Sequence, residues 1–352
     1  MKKRVLLGMS GGVDSSTSAV ILKNKGFEVV GATMRLWEDE SIEDSESIKD
    51  ARKVCEKLGI EYHVIDLRNE FREKVINNFM CTYMCGKTPN PCVECNKFMK
   101  FDKFYEIAKE FNCDYIATGH YAKIEYSEKY KEYVLTKSNE EKKDQTYFLY
   151  GINKNILPYI IFPLSEFNDK EEIRNIAKEN ELEIAKKKES QEVCFIPDNN
   201  YTNFLSKNYT NFKKENKKGN IVLSDGTILG KHSGIINYTI GQRKGLGISY
   251  KEPLYVINID REHNNVIVGT EKELYSKELL ANELNFLLDI DLSNKIEVKA
   301  KIRYRAKEAE ATLEINNDIA KLEFKEPQRA ITPGQSVVFY IDNIVLGGGK
   351  II

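Results

Sequence analysis

No run of apolar residues in this chain is long enough to form a membrane-spanning helix, so no membrane partner is expected. No secretory leader is expected either: Met1 to Ser10 opens with basic residues, but its apolar run is short and Asp14 follows soon after. Charge of one sign is also missing. The 53 Lys and Arg against 54 Asp and Glu leave a net charge of -1, which excludes a globally basic nucleic-acid binder and confines any polyanion site to a local basic face. There is no internal repeat and no low-complexity tract. A composition of 41% hydrophobic and 30% charged residues is that of an ordinary globular protein without broad disorder. At 352 residues the chain has room for two or three domains, each with its own core. Without an export signal, the seven cysteines read as reduced thiols, metal ligands or catalysts in a cytoplasmic protein, not as a disulfide framework.

What is there begins with Gly8-Met9-Ser10-Gly11-Gly12-Val13-Asp14-Ser15-Ser16, set after the apolar run Val5 to Leu7. It reads as a strand that turns through glycines into a helix, the place where α/β proteins hold phosphate. Gly11 and Gly12 let backbone amides approach an anion, and Ser10, Ser15 and Ser16 add hydroxyl donors. The stretch lacks the Lys of G-x-x-x-x-G-K-S/T and the spacing of G-x-G-x-x-G, so neither the standard phosphate loop nor the dinucleotide fingerprint fits. It resembles S-G-G-x-D-S, the pyrophosphate loop of ATP pyrophosphatases. The competing reading is a glycine-rich turn with no ligand.

The first half alternates strand and helix signals: strands at Val5 to Gly8, Glu28 to Met34, Glu61 to Leu67 and Asp114 to Thr118, with helices at Ser15 to Lys25, Ser47 to Leu58 and Glu70 to Met84. This βαβ repetition predicts an α/β domain with a parallel sheet, helices on both faces, and ligands at the carboxyl ends of the strands, where Met34, Gly119 and His120 fall. Glu38 to Glu46 reads as a solvated acidic loop. A helix beyond Asp169 is expected to pack on the sheet. After about Tyr209 short β-rich segments follow, among them a hairpin of Tyr255 to Ile259 with Val266 to Thr270, and from Ile296 onward a period of two predicts a small barrel or sandwich. The expected divisions are 1–208, 209–275 and 276–352.

A second constellation is Thr88-Pro89-Asn90-Pro91-Cys92-Val93-Glu94-Cys95. Pro89 and Pro91 predict a rigid loop that presents thiols. Cys95 would then sit just ahead of a helix over Lys97 to Phe111, whose N-terminal dipole would favour thiolate. Cys194 stands alone in Ser190-Gln191-Glu192-Val193-Cys194-Phe195. By itself it reads as a small packing residue, and beside a phosphate cradle and a thiol loop it gains meaning. Cys55 and Cys113 read as packing residues.

These segments, with Ala117-Thr118-Gly119-His120-Tyr121, Lys143-Asp144-Gln145-Thr146-Tyr147-Phe148-Leu149 and Thr239-Ile240-Gly241-Gln242-Arg243-Lys244-Gly245-Leu246-Gly247, resemble the tRNA-specific 2-thiouridylases, tRNA-uridine 2-sulfurtransferases of the ATP pyrophosphatase (PP-loop) superfamily, over most of the chain. The resemblance implies a doubly wound parallel sheet of the adenine nucleotide alpha hydrolase type, a small β-rich central domain and a C-terminal β-barrel that binds tRNA. It implies ATP-dependent 2-thiolation of a wobble uridine through an adenylylated intermediate, with Mg2+ on the departing pyrophosphate. Gly8, Met9, Ser10, Gly11, Gly12, Val13, Asp14, Ser15, Met34 and Gly119 would hold ATP. Asn90, Pro91 and position 92 would lie near the target uridine, and His120, Lys143, Asp144, Gln145, Arg303, Tyr304, Arg305 and Gln335 would contact tRNA. Arg303 and Arg305 are at alternating positions, which places them on one strand face. Cys194 would accept persulfide sulfur from an upstream cysteine desulfurase or sulfur relay protein, with Cys95 as partner thiol, in a chain monomeric when free.

One residue departs from the family pattern. Many members carry an aspartate directly after Asn-Pro, proposed as a general base; here Cys92 occupies that position, so the carboxylate role is not carried over. Cys92, Cys95 and Cys194 make a three-thiolate set of the kind that holds a 4Fe-4S cluster with one open iron. A zinc with Cys81 or Cys85 as fourth ligand is the other metal reading. Sulfur delivery by Cys194 persulfide and by cluster both stand at this point. Two other readings compete with the whole assignment: an ATP pyrophosphatase acting on a small molecule, and a non-catalytic RNA-binding protein with a structural metal.

Overall fold

The structure is a computed structural model that describes residues 2–37, 45–139, 143–186 and 193–352. Most of the acidic stretch after Trp37, and Ser190, Gln191 and Glu192, lie outside the described residues.

Strand β1 (Arg4–Gly8) leads through the glycine turn into helix α1 (Val13–Asn24), which ends before Gly26 at positive φ. Strand β2 (Glu28–Arg35), helix α2 (Glu46–Leu58) and strand β3 (Glu61–Asp66) continue the alternation. Two long helices follow, 68–84 and 91–110, before β4 (Tyr115–Ala117). A hairpin of β5 (Lys123–Ser127) and β6 (Glu132–Thr136) precedes the short β7 (Ile160–Ile161). The first sheet has the order β3-β2-β1-β4-β7, and every pairing in it is parallel. Successive residues serve opposite faces, as the strand period requires. Val5, Leu7 and Ala117 pack with α1, α2 and the helix Lys170–Glu179, whereas Leu6 and Ile116 pack with Phe101, Phe104 and Ile107 of helix 91–110. The chain therefore winds to both sides from β1 and β4, and the crevice at that reversal is where open α/β sheets bind ligands.

Strands β8 (Gly219–Leu223), β9 (Ile228–His232), β10 (Tyr255–Asp260) and β11 (Asn265–Gly269) form a second sheet, including the expected hairpin of β10 with β11. The last six strands, β12 (Tyr275–Phe286), β13 (Ile296–Lys301), β14 (Ala309–Asn316), β15 (Ile319–Arg329), β16 (Ser336–Ile341) and β17 (Ile344–Ile351), close into a barrel because β12 pairs with both β15 and β17. Closure leaves those strands no free edge.

Two local expectations are corrected, and one element is new. The Pro-rich segment is not a loop up to Cys95: Pro91 takes the first helical position, where a missing N–H is tolerated, and one continuous helix runs from it through Pro91–Glu94, Cys95–Lys103 and Phe104–Glu110. Its middle part is π-helical. Arg303, Tyr304 and Arg305 are not on a strand; they occupy the turn after β13. The hairpin β5–β6 has no counterpart in the sequence reading, and it joins the barrel sheet through Thr136 against Ile344.

Candidate active site

A cleft of about 350 Å³ opens at the carboxyl ends of β1, β2 and β4, lined by Gly8, Met9, Ser10, Asp14, Ser15, Met34, Gly119, His120 and Gln145. The loop is held tightly. Gly11 has φ +68°, and a Cβ there would run into the Ser47 carbonyl, so only glycine fits. Gly12 caps α1 from an extended conformation, which leaves the first amides of the helix toward the cleft. The Ser10 amide donates to Ser15 Oγ at 3.2 Å, and the two hydroxyls lie 3.1 Å apart. Ser16 departs from expectation: it is fully buried and its hydroxyl donates to the Gly12 carbonyl, so it faces the helix and not a ligand. Asp14 is fixed by the Tyr121 hydroxyl at 3.0 Å and the Lys170 ammonium at 3.3 Å. Burial lowers the Lys170 pKa first of all, and the nearby charges of Lys143 and Arg174 lower it further. Lys170, paired with Asp14, thus stands beside the glycine loop, and no motif announces it.

His120 lies between Phe101 and Phe162, with Nδ1 2.8 Å from Thr118 Oγ1, and burial keeps it well below the ordinary histidine range, so it is neutral. Gln145 pairs with Tyr121 through both its backbone amide and its side-chain oxygen, at 2.9 Å each. Asp144 is buried, accepts from Thr146 Oγ1 at 2.7 Å, and has its pKa raised by burial; it faces the interior and is closed to direct tRNA contact in this conformation.

Cys95 packs in one buried cluster with Phe195, and Val193 lies against the same cluster, so the structure brings the two chain neighbours of Cys194 to the helix that carries Cys92 and Cys95. Cys92 and Cys194 reach solvent while Cys95 is buried. All three lie in crowded surroundings, and desolvation raises the pKa of each, that of Cys95 to about 12. The expected dipole-favoured thiolate at Cys95 is thus overturned: the helix begins a full turn earlier, and burial outweighs the dipole. Facing all three thiols is Lys100, which also lines the cleft and which the sequence reading passed over. The other thiols of the Cys-rich region point elsewhere. Cys81 borders a separate cleft with Lys74 and Lys97, and Cys85 Sγ lies 3.3 Å from Arg261. Among the described residues no group of three His, Cys, Asp or Glu side chains converges as metal ligands do. No step is derived through a cluster.

On the barrel side the segment before Pro91 is clasped by β-barrel residues. Gln335 Nε2 donates to the carbonyls of Thr88 and Pro89 at 3.0 Å each, and the Thr88 amide donates to Pro333. Arg303 is held by the Ala330 carbonyl and by Thr332 Oγ1. Tyr304 stacks on Phe148 with ring centroids 4.4 Å apart, and Arg305 is exposed. Asn90 and Pro91 join this clasp to the thiols at Cys92.

Comparison with known proteins adds the following. Residues 3–198 match the family described as tRNA methyl transferase HUP domain, 203–270 a PRC-barrel domain of the same name, and 276–351 an aminomethyltransferase beta-barrel domain. The chain is 47% identical over 359 residues to the tRNA-specific 2-thiouridylase MnmA of Clostridioides difficile, covering 100% of this chain and 98% of that protein. It is 49% identical over 360 residues to the protein of the same name from Clostridium beijerinckii, covering 100% and 99%. Among solved structures, a U34-tRNA thiolase, NcsA from Methanococcus maripaludis with its 4Fe-4S cluster, aligns at 20% identity over 60% of this chain and 69% of that one, with a TM-score of 0.37, and carries no argument here.

Proposed function

Since the chain belongs to the family of tRNA-specific 2-thiouridylases, ATP-using sulfurtransferases, we propose that its cleft binds ATP and that Cys95 and Cys194 deliver sulfur to the wobble uridine of tRNA. The observation that carries this reading is the packing of Cys95 with Val193 and Phe195, the chain neighbours of the sequence-distant Cys194, beside a glycine-loop cleft at the sheet reversal. The amides at the start of α1 suit the phosphates, and Met34 and Gly119 border the nucleotide. Mg2+ enters with ATP as its complex.

In the first step the uridine O2 attacks the α-phosphorus of ATP. The bond to the β-phosphate breaks, pyrophosphate leaves with that electron pair, and the N3 proton is lost. Cys194 meanwhile holds a terminal sulfur received from an upstream persulfide donor. That sulfur attacks C2 of the activated uridine, and AMP leaves with the C2–O electron pair. Cys95 then attacks Sγ of Cys194, the sulfur–sulfur bond breaks toward the nucleobase, and the products are 2-thiouridine and a Cys95–Cys194 disulfide. Lys143, Arg303, Arg305 and the clasp at Gln335 position the anticodon loop, with phosphate held by the cations. The domain division 1–208, 209–275 and 276–352 assigns activation to the first part and tRNA grip to the last. A monomer in the cytoplasm, where ATP and tRNA meet, completes this reading.

The test is pyrophosphate release and 2-thiouridine formation from tRNA, ATP and a persulfide donor. The wild type should require tRNA for both, whereas Cys194→Ser and Cys95→Ser should release pyrophosphate and form no 2-thiouridine. Pyrophosphate release on a small amine with no dependence on tRNA would defeat the proposal. Stoichiometric iron after anaerobic purification, lost in Cys92→Ala, would replace the persulfide route by a cluster.

A further inference from the structure

Lys100 lies at the junction of the two halves of the site. It is half-buried and shares the cleft with Gly8, Ser10, Asp14 and His120. Its charge favours the anionic form of Cys92, Cys95 and Cys194 alike, against the desolvation that raises all three. The helix register explains this placement. In an α-helix, at 3.6 residues per turn, position i+5 points roughly 140° away from position i. From Cys95 to Lys103 the helix is in the π register, whose i→i+5 bonding brings residue i+5 back over residue i. Lys100 stands five residues after Cys95, so the irregular turn swings its side chain toward the face that carries the thiol. The cost of a buried sulfur anion, which desolvation makes large at Cys95, is thereby met by a cation from the same helix.

We propose that Lys100 is the electrostatic partner of the travelling negative charge, holding in turn the persulfide sulfur on Cys194, the AMP as it departs and the Cys95 sulfur as it attacks. This rests on the thiolation reading above and adds to it the group that joins the nucleotide cleft to the sulfur. No further reactant is needed: the ammonium keeps its protons while the negative charge passes from the persulfide sulfur to departing AMP in the first displacement, and from the Cys95 sulfur to the thiouridine in the second, where N3 takes up a proton. The mid-helix π register is then the structural means of serving two sites with one side chain.

The test uses the full-length protein and three substitutions, Lys100→Gln, Lys100→Met and Lys100→Arg. Alkylation by iodoacetamide is followed cysteine by cysteine by mass spectrometry across pH. In the neutral variants the profiles of Cys92, Cys95 and Cys194 should move to higher pH, with alkylation about tenfold slower at a fixed pH below the transition. Cys81 and Cys85 should react as before, and the Arg variant should keep the wild-type profile. With tRNA, ATP and a persulfide donor, the neutral variants should thiolate at least about tenfold more slowly in a single turnover, and the loss should be larger in thiolation than in pyrophosphate release. Should neither neutral variant fold, wild type alone decides: anionic iodoacetate relative to neutral iodoacetamide should be favoured at Cys194 over Cys81. Unchanged thiol profiles in folded neutral variants, or equal reagent preference at the two cysteines, would overturn the proposal. Absence of 2-thiouridine from the wild type would instead sink the functional reading, leaving the thiol chemistry to judge Lys100 separately.

Discussion

The protonation state of His232 is dictated by its two neighbours. Nε2 lies 2.9 Å from the Asn264 carbonyl, which only accepts, and Nδ1 takes the Gly234 amide at 3.0 Å, which only donates. The ring must be neutral, with its proton on Nε2. A second proton would set N–H against N–H in a residue only 2% exposed. Burial depresses its pKa below the ordinary 6.5, and burial followed by Lys100 does the same to His120. For a base whose folded pKa is depressed, the unfolded chain binds more protons below about 6.5, so stability is full above that value and is lost as pH falls through it. The urea midpoint should accordingly drop between about pH 7.5 and pH 5, and His232→Gln and His120→Gln should each flatten the slope. A midpoint unmoved by pH across that range would mean that both imidazoles accept protons in place. His263, exposed and raised by Asp260, runs in the opposite direction, but solvent screening limits its weight.

Helix 91–110 carries the thiols, and the clasp from the barrel sets where it starts. If Gln335 contributes by holding the Thr88 and Pro89 carbonyls, Gln335→Ala should loosen residues 87–91 and raise the KM for tRNA while leaving nucleotide binding unchanged. Hydrogen exchange at those amides would report the loosening, and a protection pattern equal to wild type would show that the side chain serves tRNA alone. Stability should fall by no more than about 1–3 kcal/mol, the usual cost of orphaning buried acceptors. The strands β1 to β4, the helices α1 and α2 and the barrel strands were legible in the sequence because apolar spacing and the barrel's period of two report one-dimensional regularity. The helix was not legible at its start. Proline is read as a breaker, yet at Pro91 it initiates, and only the clasp on Thr88 and Pro89 distinguishes the two cases. A π register leaves no periodic trace over nine residues, so Lys100 stayed hidden between Cys95 and Phe104. Arg303 and Arg305 alternate like strand residues, but β13 ends at Lys301 and the chain turns there. Burial of the Arg303 guanidinium against Ala330 and Thr332 needs contacts that spacing does not encode. The glycine loop and the thiols were found because their chemistry is concentrated in rare residues.

At the scale of the whole molecule, the first domain and the barrel each have a buried cluster largely their own, and two further clusters cross between the expected domains. One buried cluster joins Leu6 and Ile116 of the parallel sheet to Leu135 of the hairpin, to Tyr147 and Tyr150, and to Val338, Tyr340 and Val345 of the barrel. A second joins Phe71, Phe79 and Phe195 to Ile221, Val256 and Val266 of the middle sheet. Polar groups cross the same boundary: the Tyr147 hydroxyl donates to the Ser336 carbonyl at 3.0 Å, and Asn285 Nδ2 donates to the carbonyls of Tyr150 and Ile152. Gly348 permits this contact, since a Cβ there would meet the Tyr150 ring at 2.6 Å. Each fully buried large side chain contributes roughly 1.5–3 kcal/mol, so uncovering Leu135, Tyr147 and Tyr150 together would remove an amount comparable with the net stability of a domain. A fragment ending at residue 275 should therefore be poorly soluble, bind a hydrophobic dye and unfold without a sharp transition, even though its parallel sheet is complete. The full chain should show the sheet and barrel melting together in calorimetry, and Gly348→Val should lower that shared transition. A soluble 1–275 fragment with a wild-type melting transition would mean that the shared core is dispensable and the barrel an appended module. Joint melting would tie the grip on tRNA to the activation cleft, because the clasp at Gln335 and the hydrogen bonds at Ser336 lie on the same barrel edge that covers Tyr147 and Tyr150.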